Sequence, residues 1–557
     1  MSFLTFRPCL ALLTGLLLAA GCRTPAGSEL SSKSERAEEK ELAQRAAAQA
    51  HFAAGVIDEI NDNAPASYDE FYLAAKANPR DPELLIEVSS RLIEGRQFVQ
   101  ALEVLTWLTA LPNPPDIAYV RLGFIYAQLG QNKKSIAANR VAVDKMPRFL
   151  PVRQNLYFNY LQTHQPAAAL KVLDDAAAEP GTGAEYLINL AELYINYGRQ
   201  FPEQRAQVNG KALELLNRAG KLTPLDVSLQ LKLADGLSLL GDTDGASKLY
   251  LELIDHGDPS APLRDILRAK LVDLYLRNHD HAHATGQLNA ILRDNPRSAS
   301  AYYFLGGIAF DEKRWADAIE NYQRAILFNA GFEQAQYDLA SAQIAAGRGG
   351  DAVKTMEAAR KQFPARFANE YLLGMAYHEQ KQYAEALTHL TAAEAIAVTS
   401  ETNRLNTALY FQLGATSERA GARAEAERYF EKAIALSSDN AEALNYLGYM
   451  WAEKGEKLER ARELIERALK AEPNNAAFLD SLGWVYFQMG KPREAVDYLL
   501  KAVAADPKEP DATVYEHLGD AYAALKQMDK AREAWTRSLS LEASDAVKKK
   551  LGDLKSP

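Results

Sequence analysis

Cysteine is nearly missing: the 557 residues hold two, Cys9 and Cys22, and none follows position 22. The body of the chain therefore has no disulfide framework. Positive charge is also scarce. With 63 Lys and Arg against 73 Asp and Glu, a formal charge of -10 and a pI near 5.6, the chain lacks the basic stripe that phosphates require, which argues against nucleic acid as a partner. Acidic clefts for basic or apolar partners stay open. No phosphate-binding Gly-rich loop with Lys, no zinc-protease helix motif and no Gly-x-Ser-x-Gly elbow occurs. No catalytic residue or cofactor is therefore assigned. Long apolar runs are absent as well: Cys9 to Ala20 is too short to span a bilayer as a lasting helix.

What is present is repetition. A chain of 557 residues is too long for one compact core, so it is either several domains or an array. Ala476 to Glu509 shows the unit. Leu479, Leu482, Gly483 and Tyr486 form one apolar helix face, and Ala495, Leu499 and Ala502 form a second. Gly490 and Pro492 mark the turn between the two helices, and Pro507 ends the unit. Gly483 is the residue expected where two helices approach too closely to admit a side chain. A lone helical hairpin cannot bury both its faces, so it needs like neighbours.

With Gly483 as position 8 of a 34-residue unit, the same place recurs at Gly55, Ser89, Gly123, Tyr157, Ala191, Ala234, Val272, Gly306, Ala340, Gly374, Gly414, Gly448 and Gly519. Three insertions, near FPEQRAQVN, DHGDPSAP and AVTSETNR, break the strict spacing, and the first is expected to extend a turn inside its repeat. Twelve places later a small residue returns: Ala101, Ala169, Ala246, Ala284, Ala318, Ala352, Ala386, Ala426, Ala495 and Ala531. Proline closes seven repeats at position 32: Pro79, Pro147, Pro224, Pro296, Pro364, Pro473 and Pro507.

Period, Leu-Gly pair, tyrosine at position 11, alanines and proline together resemble the tetratricopeptide repeat family. The resemblance covers most of the chain beyond the N-terminus and implies an all-α superhelical solenoid of about fourteen helix-turn-helix repeats. The expected layout is a signal peptide over 1–21, a modified N-terminus and tether running into the first helix over 22–47, N-terminal repeats over 48–298, C-terminal repeats over 299–542 and a capping helix with tail over 543–557. Repeats two, four and six, with Ser89, Tyr157 and Ala234 at position 8, depart most from the pattern.

At the N-terminus, Arg7, the run Cys9 to Ala20 and the small residues before Cys22 read as a cleaved secretory signal. LLAAGC resembles the lipobox of bacterial lipoproteins, which implies that Cys22 is diacylated and becomes the mature N-terminus. Arg23, where the family's sorting rule would put Asp for inner-membrane retention, points to the outer membrane, facing the periplasm. Residues 23 to 36 are polar and are expected to be a flexible tether, with a reach of roughly 3.5 Å per residue.

In tetratricopeptide arrays positions 2, 5, 9 and 12 face the concave surface. The resemblance thus implies an aromatic peptide-binding groove made of Tyr303, Tyr337, Tyr371 and Phe411 at position 5, Met375, Tyr449 and Trp484 at position 9, and Phe310 and Phe487 at position 12. The alternative is that these rings pack between neighbouring helices. No repeat has the Lys and Asn pair with which some family members grip a terminal carboxylate. Asn445, Asp480 and Glu516 stand at position 5 instead and favour a ligand with positive charge. His279, His281 and His283 alternate with Asp280 in the turn of the seventh repeat and are a weak metal-ligand candidate.

The expected function is a membrane-anchored scaffold or adaptor of the bacterial cell envelope. Its architecture resembles the repeat lipoproteins that partner periplasmic carboxyl-terminal processing proteases and bring them substrates. An alternative is an assembly component of an outer-membrane export apparatus for polysaccharide, pilus or secreted protein. An enzyme using the segment Phe201 to Asn209 lacks a nucleophile, base and orienter set.

Overall fold

The computed structural model describes residues 29–222, 224–255, 260–364, 366–507 and 511–553, which form 29 α-helices and, among the described residues, no strand. The chain is all-α, built of consecutive antiparallel hairpins. It divides into two compact bodies between 261 and 262, one hairpin before the 298/299 boundary expected from the sequence.

In the N-terminal body the hairpins are α1 (Glu29–Ile60) with α2 (Ala64–Ala77), α3 (Pro82–Glu94) with α4 (Phe98–Thr109), and α5 (Asp116–Gln128) with α6 (Asn132–Lys145). Then come α7 (Leu150–Gln162) with α8 (Pro166–Ala177), α9 (Ala184–Gln200) with α10 (Arg205–Ala219), and α11 (Val227–Leu239) with α12 (Thr243–Asp255). The C-terminal body holds α13 (Ala261–Arg277) with α14 (His281–Asp294), α15 (Ala299–Asp311) with α16 (Trp315–Phe328), α17 (Glu333–Ala345) with α18 (Gly349–Gln362), and α19 (Phe367–Glu379) with α20 (Tyr383–Thr399). It continues with α21 (Thr407–Arg419) and α22 (Arg423–Leu436), α23 (Ala441–Ala452) and α24 (Leu458–Ala471), α25 (Ala476–Gln488) and α26 (Pro492–Ala505), α27 (Ala512–Ala524) and α28 (Met528–Leu541), and ends on α29 (Asp545–Asp553).

Close approach at position 8 sets each hairpin. A Cβ built on Gly483 would lie 2.7 Å from Leu499 Cγ and 3.2 Å from the Ala495 carbonyl oxygen. Gly55 meets Phe71 in the same way, Gly306 meets Tyr322, Gly374 meets Leu390, Gly414 meets Phe430 and Gly519 meets Trp535, always the residue sixteen places on. The ten alanines at position 20 are all 0% exposed, so the second helix rests its smallest side chain where the first comes closest.

The turn follows from the end of the first helix. At position 15 the backbone is left-handed in thirteen repeats, for example Gly490 at φ 74°, Lys381 at 62° and Lys526 at 61°. The Lys491 N–H donates to the Tyr486 carbonyl at 2.9 Å, the six-to-one bond that satisfies an end carbonyl. Side chains begin many first helices: the Asp81 carboxylate accepts from the Glu83 and Leu84 N–H groups at 3.1 Å, and Asn440 accepts from Ala443 at 2.7 Å. In six repeats the proline stands two residues beyond the last helical residue, as Pro507 does after Ala505.

Two expectations are corrected. The insertion FPEQRAQVN does not extend a turn: α9 reaches 17 residues and α10 reaches 15, with only a single 3-10 turn, Pro202–Gln204, between them. Extra residues gain more by continuing a hydrogen-bonded helix than by ordering a loop. Residues 29–36, expected within a flexible tether, belong to α1, a 32-residue helix in which Glu41 pairs with Arg45 at 2.6 Å. The signal segment 1–21 and Cys22 lie outside the described residues. Among the described residues no helix is long and apolar enough to cross a membrane.

Candidate functional site: an acidic cleft in the C-terminal body

The aromatic residues proposed for a groove do not form one open stripe. Tyr337 is 7% exposed and belongs to a core with Met356 and Leu373, its hydroxyl donating to Glu333 at 2.6 Å. Burial, then the bond to Glu333, push that hydroxyl upward in pKa. The Tyr303 hydroxyl donates to Asp338 at 2.8 Å while its ring meets Phe332 at 4.7 Å. Tyr371 stacks on Phe367 at 5.3 Å, Phe411 sits edge-on to Tyr446 at 5.3 Å, and Phe310 meets Trp315 at 5.0 Å. Trp484 stacks on Phe487 at 4.9 Å. Met375 is half-buried. One rule covers three of these contacts. Position 5 of one repeat touches position 6 of the next, as in Tyr303 with Asp338, Phe411 with Tyr446, and Asp480 with His517. The neighbouring first helix therefore contacts two of these rings, Tyr303 and Phe411, while every one of the nine residues except Tyr337 stays half-buried.

The histidine cluster is likewise corrected from metal candidate to helix start. Asp280 caps α14, accepting from the His283 N–H at 3.1 Å and lying 2.7 Å from His283 Nδ1, and His281 Nδ1 lies 3.3 Å from Glu312. His279 occupies the left-handed turn position at φ 55°. Among the described residues no group of three His, Cys, Asp or Glu is placed to hold a metal ion.

An open cleft of about 830 Å³ lies instead along the first helices of the last three repeats, α23, α25 and α27, and the end of α21. Of the residues tested from the sequence, Asn445, Tyr449 and Asp480 line it. Glu418, Glu453, Asp506 and Asp511 join Asp480 on its wall, against one cation among the described residues, Arg419, whose Nε is 3.5 Å from Glu418. Burial first, then the charges of Glu453, Asp480 and Asp511, push the Tyr449 hydroxyl up. His517 Nδ1 sits 2.9 Å from Asp480 Oδ1, and its ring stacks on Trp484 at 4.1 Å, so the floor of the cleft is held rigidly. Asn445 is 8% exposed, and its side-chain oxygen is buried with no hydrogen-bond partner.

Glu516, the third position-5 residue, is used elsewhere. Lys550 of α29 reaches it at 2.8 Å and Asp520 at 2.7 Å, while Val547 of the same helix is fully buried against Trp535 and Ala531. Sequence reasoning missed His517, Glu453, Asp506 and Asp511. The position 5 to position 6 contact between successive repeats would have pointed to His517, 37 residues from Asp480.

Family models described as tetratricopeptide repeat match residues 270–333, 417–476, 451–510 and 481–545, and a second such model matches 309–369. These segments are tetratricopeptide repeats. All of them lie in the C-terminal body, and the cleft is built from the tetratricopeptide repeats between 417 and 545. No curated protein matches the chain. Among solved structures the chain is similar to the APC/C hetero-tetramer Cut9–Hcn1, at 16% identity over 84% of this chain and 88% of that one, with a TM-score of 0.36. It is similar to a tetratricopeptide repeat protein from Parabacteroides merdae ATCC 43184, at 16% identity, 46% and 98% coverage and a TM-score of 0.38. MamA, residues 41 to the end, from Desulfovibrio magneticus RS-1 gives 20% identity, 32% and 96% coverage and a TM-score of 0.28.

Proposed function

We propose that this chain is a lipid-anchored binding scaffold of the bacterial envelope, held by Cys22 at the periplasmic face of the outer membrane, whose tetratricopeptide repeats recruit partner proteins. One observation carries the binding role. The first helices of the last three repeats and the end of α26 leave an 830 Å³ cleft beside a buried acceptor, Asn445 Oδ1, that no group among the described residues satisfies. A buried polar group left unpaired costs about 1–3 kcal/mol, so a site that keeps one is suited to a ligand that supplies the missing donor. The anchor rests on LLAAGC and Arg23. Repeat lipoproteins that present substrates to envelope proteases offer the matching architecture.

The test is photo-crosslinking in the native envelope. A photo-reactive residue at Thr513, on the cleft wall, is expected to give discrete protein adducts. The same residue at Glu494, exposed on the second helix of a repeat, is expected to give none. Equal adducts at both places, or none at Thr513, would remove the cleft from the function.

A further inference from the structure

We infer that the cleft takes an extended peptide segment of a partner protein that carries lysine or arginine, its cationic side chain lying among Tyr449, Glu453 and Asp511 and its main chain donating to Asn445. The inference rests on the binding role above and adds the chemistry of the partner.

Charge comes first. Among the described residues five carboxylates line the cleft against one guanidinium, which pairs with Glu418, while Asp480 is held by His517 and Asp506 has a partner of its own. An anionic segment would meet repulsion on every wall, whereas a cationic one gains attraction in a partly desolvated space. Tyr449 is half-buried and lines the same cleft as Glu453, Asp480 and Asp511, so an ammonium or guanidinium bound there meets both a ring face and carboxylates. Met450 and Val514, both buried, and Val503 supply apolar wall for the aliphatic stem of such a side chain.

Asn445 gives the second, independent observation. It is more than nine-tenths buried, it lines the cleft, and its oxygen has no partner among the described residues. It stands one repeat before Asp480 at the same register position, yet Asp480 is held by His517 and Asn445 Oδ1 by no group among the described residues. A peptide N–H is the donor that fits an amide acceptor beside a charge pocket. A free polyamine would satisfy the carboxylates and leave no reason for an amide acceptor. A metal ion is disfavoured because no three His, Cys, Asp or Glu among the described residues cluster around one point.

The experiment uses the full chain and fluorescence anisotropy with three labelled synthetic peptides of equal length, in which alternate residues are all Lys, all Ser or all Glu. The Lys peptide is expected to bind, the Ser peptide about tenfold more weakly, and the Glu peptide not measurably. Glu453→Gln with Asp511→Asn, two exposed positions where the helix cap is kept by Asn, should weaken the Lys peptide about fivefold and flatten its salt dependence. Asn445→Leu should weaken it about fivefold with the salt dependence unchanged. Should Asn445→Leu disturb the fold by hydrogen exchange, the double charge variant still decides, because both its side chains are in water. Equal binding of all three peptides would overturn the inference, as would spermidine displacing the Lys peptide while Asn445→Leu leaves affinity unaltered. Thr513 adducts in the envelope without Lys-peptide binding would reject the cationic partner and keep the scaffold. Loss of both would reject the scaffold as well.

Discussion

Replacing Gly483 by alanine sets two effects of known sign against each other. An alanine in the middle of a helix is favoured over glycine by about 0.8–1 kcal/mol. The new methyl, however, would stand 2.7 Å from Leu499 Cγ, 3.0 Å from Cδ2 and 3.2 Å from the Ala495 carbonyl oxygen. Leu499 is 0% exposed and has nowhere to turn, and a backbone oxygen cannot yield. Overpacking of this kind costs about 1–3 kcal/mol, so Gly483→Ala is expected to destabilise its repeat by about 1 kcal/mol net. Leu499→Ala alone should cost about 2–5 kcal/mol through lost burial and a cavity. Combined, the two should be less harmful than Leu499→Ala alone, because the contacts with Leu499 disappear, leaving only the 3.2 Å approach to the Ala495 carbonyl oxygen, and the helix gains its propensity, giving a coupling of about 1–3 kcal/mol. Gly210→Ala is the control: nothing lies within 4 Å of its added carbon, so the same exchange in α10 should stabilise. Hydrogen exchange over α25 and α26 is the assay, since a long array need not melt as one unit and a bulk transition would dilute a local loss. Greater protection in Gly483→Ala, or strict additivity with Leu499→Ala, would refute the packing account.

Tyr337→Ala should cost about 3–5 kcal/mol, lowering exchange protection in α17 to α19, whereas Tyr337→Phe, which loses only the bond to Glu333, should cost about 1 kcal/mol; an Ala variant as protected as wild type would return this ring to the surface. His378 is held below its ordinary 6.5 by burial and then by Arg419, with Nδ1 2.9 Å from the Thr416 hydroxyl. Its folded value lies below its unfolded one, so its contribution is intact above pH 6.5 and is lost as pH falls through the folded value. Urea midpoints should therefore drop on that side in wild type and less in His378→Gln; identical slopes would contradict the assignment. Cys22→Ser should move the protein from membrane to soluble fractions, and unchanged membrane retention would end the lipid-anchor proposal.

The hairpins were legible because their cause is local and periodic. Gly483, Ala495 and Pro507 each answer to a contact or a backbone ending inside one repeat, so spacing alone located them. Within the cleft, Asn445 and Asp480 were legible at position 5, while Glu453 at the end of α23 and Asp511 at the start of α27 look in sequence like ordinary helix-end residues.

By itself, the sequence determined an all-α array, its register, and which residues share a helix face. It did so because a 3.6-residue helical period and a 34-residue repeat depend only on chain geometry. The tertiary structure alone decided what covers each face. It put Asp338 on Tyr303, His517 on Asp480 and Lys550 on Glu516, and it left Asn445 Oδ1 without a partner. Those outcomes depend on how one hairpin lies across the next, a relation between repeats that no spacing within a repeat encodes.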